Sequence, residues 1–147
     1  MISIIEGHDL GACFWFIPVH VLIKDGKVYR VDELDDEISI DEEDFKAYLY
    51  PFFKKHFDRN LEYNRLRYDN LDERYITYFE WCLEYNFYTY PMVESICREL
   101  EEQASVLEKE GFTEKQEIAD FYLRFTRRIR KMMEHYSSAD ALSVMGP

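Results

Sequence analysis

The chain reads as an α+β protein: an N-terminal antiparallel β-ribbon or small sheet packed by three to four helices. Three observations predict this. The first thirty positions are rich in β-branched and aromatic residues and contain an Asp25-Gly26 turn between apolar runs. Apolar residues recur at helical spacing from Phe45 onward, most regularly after Pro91. The 147 residues, 47% of them hydrophobic, fit a single domain over 1–147, in which a folded chain buries roughly two thirds of its unfolded surface.

The ribbon comes first. Phe14-Trp15-Phe16-Ile17 leads through Pro18 into Val19-His20-Val21-Leu22-Ile23, and Val28-Tyr29-Arg30-Val31 returns after Lys24-Asp25-Gly26-Lys27. A two-residue Asp-Gly turn needs positive φ at both central positions and pairs Ile23 with Val28 and Leu22 with Tyr29. Both faces of the ribbon are then largely apolar, and each requires a cover. Pro18 lacks an amide donor and is expected at a strand start or an edge. Ile2 and Ile4 alternate as a further short strand.

Residues 32–44 carry nine carboxylates and no Lys or Arg. Like charges repel, so an extended, solvated loop is expected. Its end suits a helix start: Asp41 can cap, and Glu42, Glu43 and Asp44 sit where the helix dipole favours negative charge. Phe45, Tyr48, Leu49, Phe52 and His56 continue at helical spacing, and Pro51 should kink or restart that helix. Residues 58–70 are polar and without clear period. Asn70-Leu71-Asp72-Glu73 resembles a capping box for a helix through Leu83, but Tyr75-Ile76-Thr77-Tyr78-Phe79 has strand propensity, leaving helix or strand open over 75–83.

Asn86-Phe87-Tyr88-Thr89-Tyr90 reads as a connection, with Pro91 in the first turn of the next helix. Val93, Ile96, Cys97, Leu100, Ala104 and Leu107 form one stripe ended by Gly111. Thr113-Glu114-Lys115-Gln116 is a capping box opening a long helix whose stripe runs Ile118, Phe121, Tyr122, Phe125, Ile129, Met132, Met133, Tyr136. Acids at its start and bases toward its end complement the macrodipole. The apolar tail from Ala141 is expected to dock.

Composition bounds function. A net charge of −12 opposes nonspecific nucleic-acid binding and attraction to an anionic membrane, and suits a basic protein partner. Solubility alone also accounts for a surplus of carboxylates. Cys13, Cys82 and Cys97 are odd in number with no C-x-x-C, so neither a disulfide framework nor a zinc site is expected. The N-terminus lacks a secretory pattern, and no stretch approaches a membrane span, so the expected compartment is the cytoplasm.

No catalytic, cofactor or metal motif emerges. His8, His20, His56 and His135 are scattered without ligand spacing, and His20 looks like a buried structural histidine. The acidic run lacks the central glycine of a calcium loop and is a poor support for a glycosidase carboxylate pair. Arg124, Arg127, Arg128, Arg130 and Lys131 could contact phosphate; with the chain at −12 they read better as the outer face of an amphipathic helix whose cations pair with the acidic block of residues 32–44. Among Trp81, Tyr85, Phe87, Tyr88 and Tyr90, most rings should be core, while tyrosine's amphipathic character suits an interface.

Phe79-Glu80-Trp81, Asn86-Phe87-Tyr88-Thr89-Tyr90, Phe121-Tyr122-Leu123-Arg124, Arg127, Met132-Met133 and Met145-Gly146-Pro147 together resemble a group of small uncharacterised bacterial proteins. The resemblance covers the C-terminal half, and its motifs are structural, so it implies no site residues.

The expectation is a non-enzymatic acidic protein-binding module, in its most concrete form an immunity- or antitoxin-like inhibitor of a basic protein. Its expected contact residues are Asp35, Asp36, Glu37, Asp41, Glu42, Glu43 and Asp44, with Tyr85, Tyr88 and Tyr90. A small enzyme with a His/carboxylate pocket and a structural, self-associating protein, including a homodimer, stay open as alternatives.

Overall fold

In the computed structural model, residues 1–7, 9, 11–68 and 86–146 are described. His8, Cys82, Tyr85 and the helix-or-strand question over 75–83 lie outside them. The described chain is an α+β fold, as expected. Its strands are β1 (Ile5–Glu6), β2 (Cys13–Lys24), β3 (Lys27–Glu33), β4 (Ile38–Asp41), β5 (Asn86–Tyr88) and β6 (Ala141–Met145). The helices are α1, built from Glu42–Asp44, a π-helical Phe45–Leu49 and Tyr50–His56, then α2 (Glu62–Tyr68), α3 (Tyr90–Glu110) and α4 (Thr113–His135). None of them is long and apolar enough to cross a membrane.

The strands form one antiparallel sheet in the order β1-β4-β2-β6-β5, with β3 also on β2. β6 pairs with Trp15–Val19 of β2, while β4 takes Cys13–Phe16 and β3 takes Val19–Lys24. Because β6 and β4 share Trp15 and Phe16, and β6 and β3 share Val19, β4 and β3 must both lie on the edge opposite β6. Leu34 N–H donates to Pro18 O at 2.9 Å between them. β3, the acidic turn and β4 therefore run beside β2 as one interrupted strand.

Pro18 is thus neither at a strand start nor at a sheet edge, contrary to expectation. The ladder tolerates it because its missing donor faces the interruption: Leu34 O, which receives nothing from Pro18, accepts Asp36 N–H instead. The acidic segment is likewise not one solvated loop. Ile38 and Ile40, fully buried, draw its second half into the sheet as β4. At the hairpin, Asp25 (φ 53°) and Gly26 (φ 71°) form the expected turn and Ile23 pairs with Val28. A bulge then shifts the register, so Leu22 faces Arg30 instead of Tyr29.

Alternation along β2 sends Phe14 and Phe16 to one face and Ile17, Val19 and Val21 to the other, and both faces are covered. On the first, α1, α3 and α4 close over the sheet. Phe16 sits at the centre of an aromatic group, with ring centroids 5.5 Å from Phe53 and 5.3 Å from Phe125. Phe14 stacks on Phe45 at 3.9 Å. On the second face, Leu61 and Tyr63 pack against the cluster that includes Phe87 and Ala141.

Local chemistry fixes the helix ends. Asp41 accepts from Glu43 N–H at 3.0 Å, capping α1. Pro51 restarts the helix: a π-type bond from Tyr50 N–H to Phe45 O precedes it. Thr89 caps α3, and Gly111, at φ 74°, ends it. Thr113 is not a cap but the first residue of α4, after Phe112, which offers no side-chain acceptor.

Two segments differ from expectation. Asn86–Tyr88 is no connection but the buried outer strand β5, and the tail docks as β6 between β5 and β2. Asn64, fully buried on α2, completes β5's outer side: its amide donates to Phe87 O and its Oδ1 accepts from Phe87 N–H, both at 2.9 Å. A side chain here does what another strand would do. Asn64→Ala strands two buried main-chain groups and is expected to lower stability by about 3 kcal/mol. Urea unfolding should show this as a lower midpoint at an unchanged m-value; an unaltered midpoint would show that Asn64 is not the edge's partner.

Candidate functional site

The acidic and basic runs meet where the interrupted strand passes the C-terminal half of α4. The turn Leu34–Glu37 is pinned there from several sides. Gly7 N–H donates to Glu37 O at 2.7 Å, Ser39 Oγ donates to Gly7 O at 2.9 Å, and Tyr136 Oη donates to Asp35 O at 2.6 Å. Arg128 adds the charged link. Its Nε and Nη2 reach both oxygens of Glu6, from 2.8 Å, and its Nη2 and Nη1 reach Asp36 at 2.6 and 3.2 Å. A planar guanidinium suits such forked contacts. The Glu6 and Asp36 bonds, in that order, hold Arg128 protonated well beyond its ordinary range.

Glu6, Glu33, Asp35, Asp36 and Glu37, with Gly7, Ile17 and Leu34, line an open depression of about 520 Å³. Among the described residues, its lining holds five carboxylates and no cation. A second open depression, of about 850 Å³, shares Glu6 and Asp36 with the first and adds Arg128, Lys131, Glu134, His135 and Tyr136. Loss of hydration, followed by the Asp35 and Asp36 carboxylates, pushes the Tyr136 hydroxyl pKa up.

The expected acidic residues therefore divide. Asp35 is exposed on the rim, Asp36 is tied to Arg128, and Glu37 lines the first depression. Asp41 to Asp44 form a separate patch at the start of α1, where Asp41 caps and Glu42 pairs with Lys46 at 2.6 Å. Glu43 is exposed there. Burial, then the Asp41 and Glu43 charges, push the Asp44 carboxyl pKa up, as expected where like charges crowd.

The tyrosines do not join either patch. Tyr88 is fully buried and donates to Phe53 O at 2.7 Å, so it belongs to the core and offers no contact surface. Tyr90 is half-buried, donates to Tyr136 O at 2.7 Å, and has its pKa pushed up to about 12 by burial. Tyr85 lies outside the described residues.

Most α4 cations find partners inside the fold, but only one of them in the acidic run. Arg124 bonds Asp120 and Ile2 O, and Arg130 bridges Glu94 and Glu101 of α3. The Arg130 hydrogen bond outweighs partial burial and lowers the Glu101 carboxyl pKa. Arg127 and Lys131 are exposed and make no ion pair among the described residues.

His20, expected to be buried, is half-exposed and lies 3.5 Å from Asp140. His56 Nε2 is 2.7 Å from Glu99, whose other oxygen takes Lys55 at 2.5 Å. His135 packs edge-on against Tyr136, its ring 4.7 Å away. Among the described residues, no three His, Cys, Asp or Glu side chains are placed to hold a metal ion. Cys13 and Cys97 are buried free thiols; burial is the largest cause of the rise in both pKa values, to about 12 for Cys97.

Glu6, Glu33 and Arg128 complete the site but were not among its expected residues. Glu33 and Arg128 carry a signal, since they belong to the acidic and basic runs. Glu6 carries none: only the β1–β4 pairing of Glu6 with Ile38 brings it to the turn. Comparison with protein-family models, curated proteins and solved structures finds no match to this chain.

Arg128→Met keeps the apolar stem and removes the clamp. It is expected to cost about 1–2 kcal/mol, the partners being part-exposed. Amide exchange at Gly7 and Leu34 should quicken by about tenfold while α4 stays protected. Unaltered exchange at both amides would show that Arg128 does not hold the turn.

Proposed function

We propose that this chain is a non-enzymatic, acidic protein-binding module that receives a basic surface of a partner protein. One observation carries the reading: the depression beside the Leu34–Glu37 turn, whose lining among the described residues has five carboxylates and no cation. A concave anionic surface on a chain of net charge −12 attracts basic partners at long range and orients them on contact. The hydrogen bonds from Gly7 and Tyr136 and the Arg128 clamp hold the turn in place before any partner arrives. Binding then costs little ordering.

The contact residues of this reading are Glu33, Asp35 and Glu37, with Asp36 and Glu6 shared with Arg128. Asp41, Glu42, Glu43 and Asp44 make a second anionic patch that widens the attractive field. In its most concrete form the module is an immunity- or antitoxin-like inhibitor acting in the cytoplasm. It would set these carboxylates against the basic active cleft of a nuclease toxin and block it by occupancy.

An arginine-rich peptide, with fluorescence anisotropy and stopped-flow mixing at low ionic strength, tests this. Asp35→Asn with Glu37→Gln should slow association by about tenfold and flatten its salt dependence, with the fold intact by circular dichroism. Equal association rates for the wild type and this variant at low salt would remove the proposal.

A further inference from the structure

The two depressions beside the acidic turn meet at a common wall. Among the described residues, Glu6 and Asp36 line both of them. Arg128 lines the second alone, so its guanidinium meets this pair of acids from that side, while the first depression meets them from the other. Arg128 Nε lies 2.8 Å from Glu6 Oε1, and its Nη2 lies 2.9 Å from Glu6 Oε2 and 2.6 Å from Asp36 Oδ1. Two of the carboxylates that a basic partner would use are therefore already engaged by a cation of the chain itself.

The clamp is built so that it can open. The Glu6 side chain is 64% exposed, and Arg128 and Asp36 are reached by solvent at 18% and 20%. Part-exposed ion pairs exchange partners at little cost, because water and salt screen both arrangements. The turn does not rest on the clamp alone, since Gly7 N–H and the Tyr136 hydroxyl hold its main-chain oxygens. A displaced Arg128 side chain has room as well: the second depression is open, about 850 Å³ in volume, and carries Glu134 on its wall.

We infer that Arg128 is an internal occupant of the acidic site, an autoinhibitory contact that an incoming guanidinium displaces from Glu6 and Asp36. This rests on the reading of the first depression as a partner site, and adds how that site is regulated. Being tethered, Arg128 competes at a high effective concentration. An arginine of the partner can reproduce its forked contacts; an ammonium makes no fork and competes less well. The contact thus sets a threshold that favours arginine-rich surfaces.

Fluorescence anisotropy of the full chain with an arginine-rich peptide, at low ionic strength, tests this. Arg128→Met should tighten binding about fivefold, because two part-exposed carboxylates are released to the peptide. A merely structural clamp acts in the opposite direction, since a looser turn binds more weakly. Lys131→Met removes one charge from the second depression without releasing Glu6 or Asp36, and should change binding by less than about twofold. Arg128→Lys keeps the charge but not the fork. It should fall between wild type and Arg128→Met, and it carries the comparison if circular dichroism shows Arg128→Met unfolded. Binding by wild type that neither Arg128 variant tightens would overturn the inference and leave the acidic module standing. Equal tightening by Lys131→Met would also overturn it, reducing the effect to net charge. No binding by wild type or any variant would overturn both readings.

Discussion

Everything in this fold follows from β2 being apolar on both sides. A twelve-residue strand with Phe14 and Phe16 on one face and Ile17, Val19 and Val21 on the other cannot sit at a solvated surface. Each face has to be roofed, and strands must satisfy the main chain on both edges. α1, α3 and α4 roof the first face, and the Leu61–Tyr63 region packs on the second. β6 takes one edge, and the interrupted pair β3 and β4 takes the other. The aromatic residues gather where this demand is greatest, around Phe16.

The same strand creates the acidic turn. Pro18 can accept a hydrogen bond from Leu34 but cannot return one, so the partner strand loses its ladder at that point. The carboxylates of Asp35, Asp36 and Glu37 occupy the gap, where like charge disfavours a regular strand. Ile38 and Ile40 then bring the chain back into the sheet. Arg128 and Tyr136 hold the loosened turn against α4. The depression is thus a consequence of one missing donor, and its charge is a consequence of which residues fill the gap.

How much of this is legible in the sequence depends on range. α3 and α4 announce themselves through stripes such as Val93-Ile96-Cys97-Leu100, because a 3.6 period is local information. The Asp25-Gly26 hairpin is legible for the same reason, though not the bulge that moves Leu22 opposite Arg30. β5 is not legible: Asn86-Phe87-Tyr88 is short, and among the described residues its partners are the distant Asn64 and the late β6. The site is half legible. Acidic and basic runs are visible as runs, but charge spacing does not say that Asp36 meets Arg128 or that Glu6 joins them. Tyr88 and Tyr90 show the converse: side chains suited to an interface serve the interior, because their hydroxyls find Phe53 O and Tyr136 O.

Native-state hydrogen exchange along β2 tests the account most directly. If the doubly covered strand is the common support, the amides of Phe16, Ile17 and Val19 should exchange only through global unfolding, with the full unfolding free energy and the full denaturant slope. Exchange of those amides through smaller, local openings, while α3 and α4 remain protected, would contradict it.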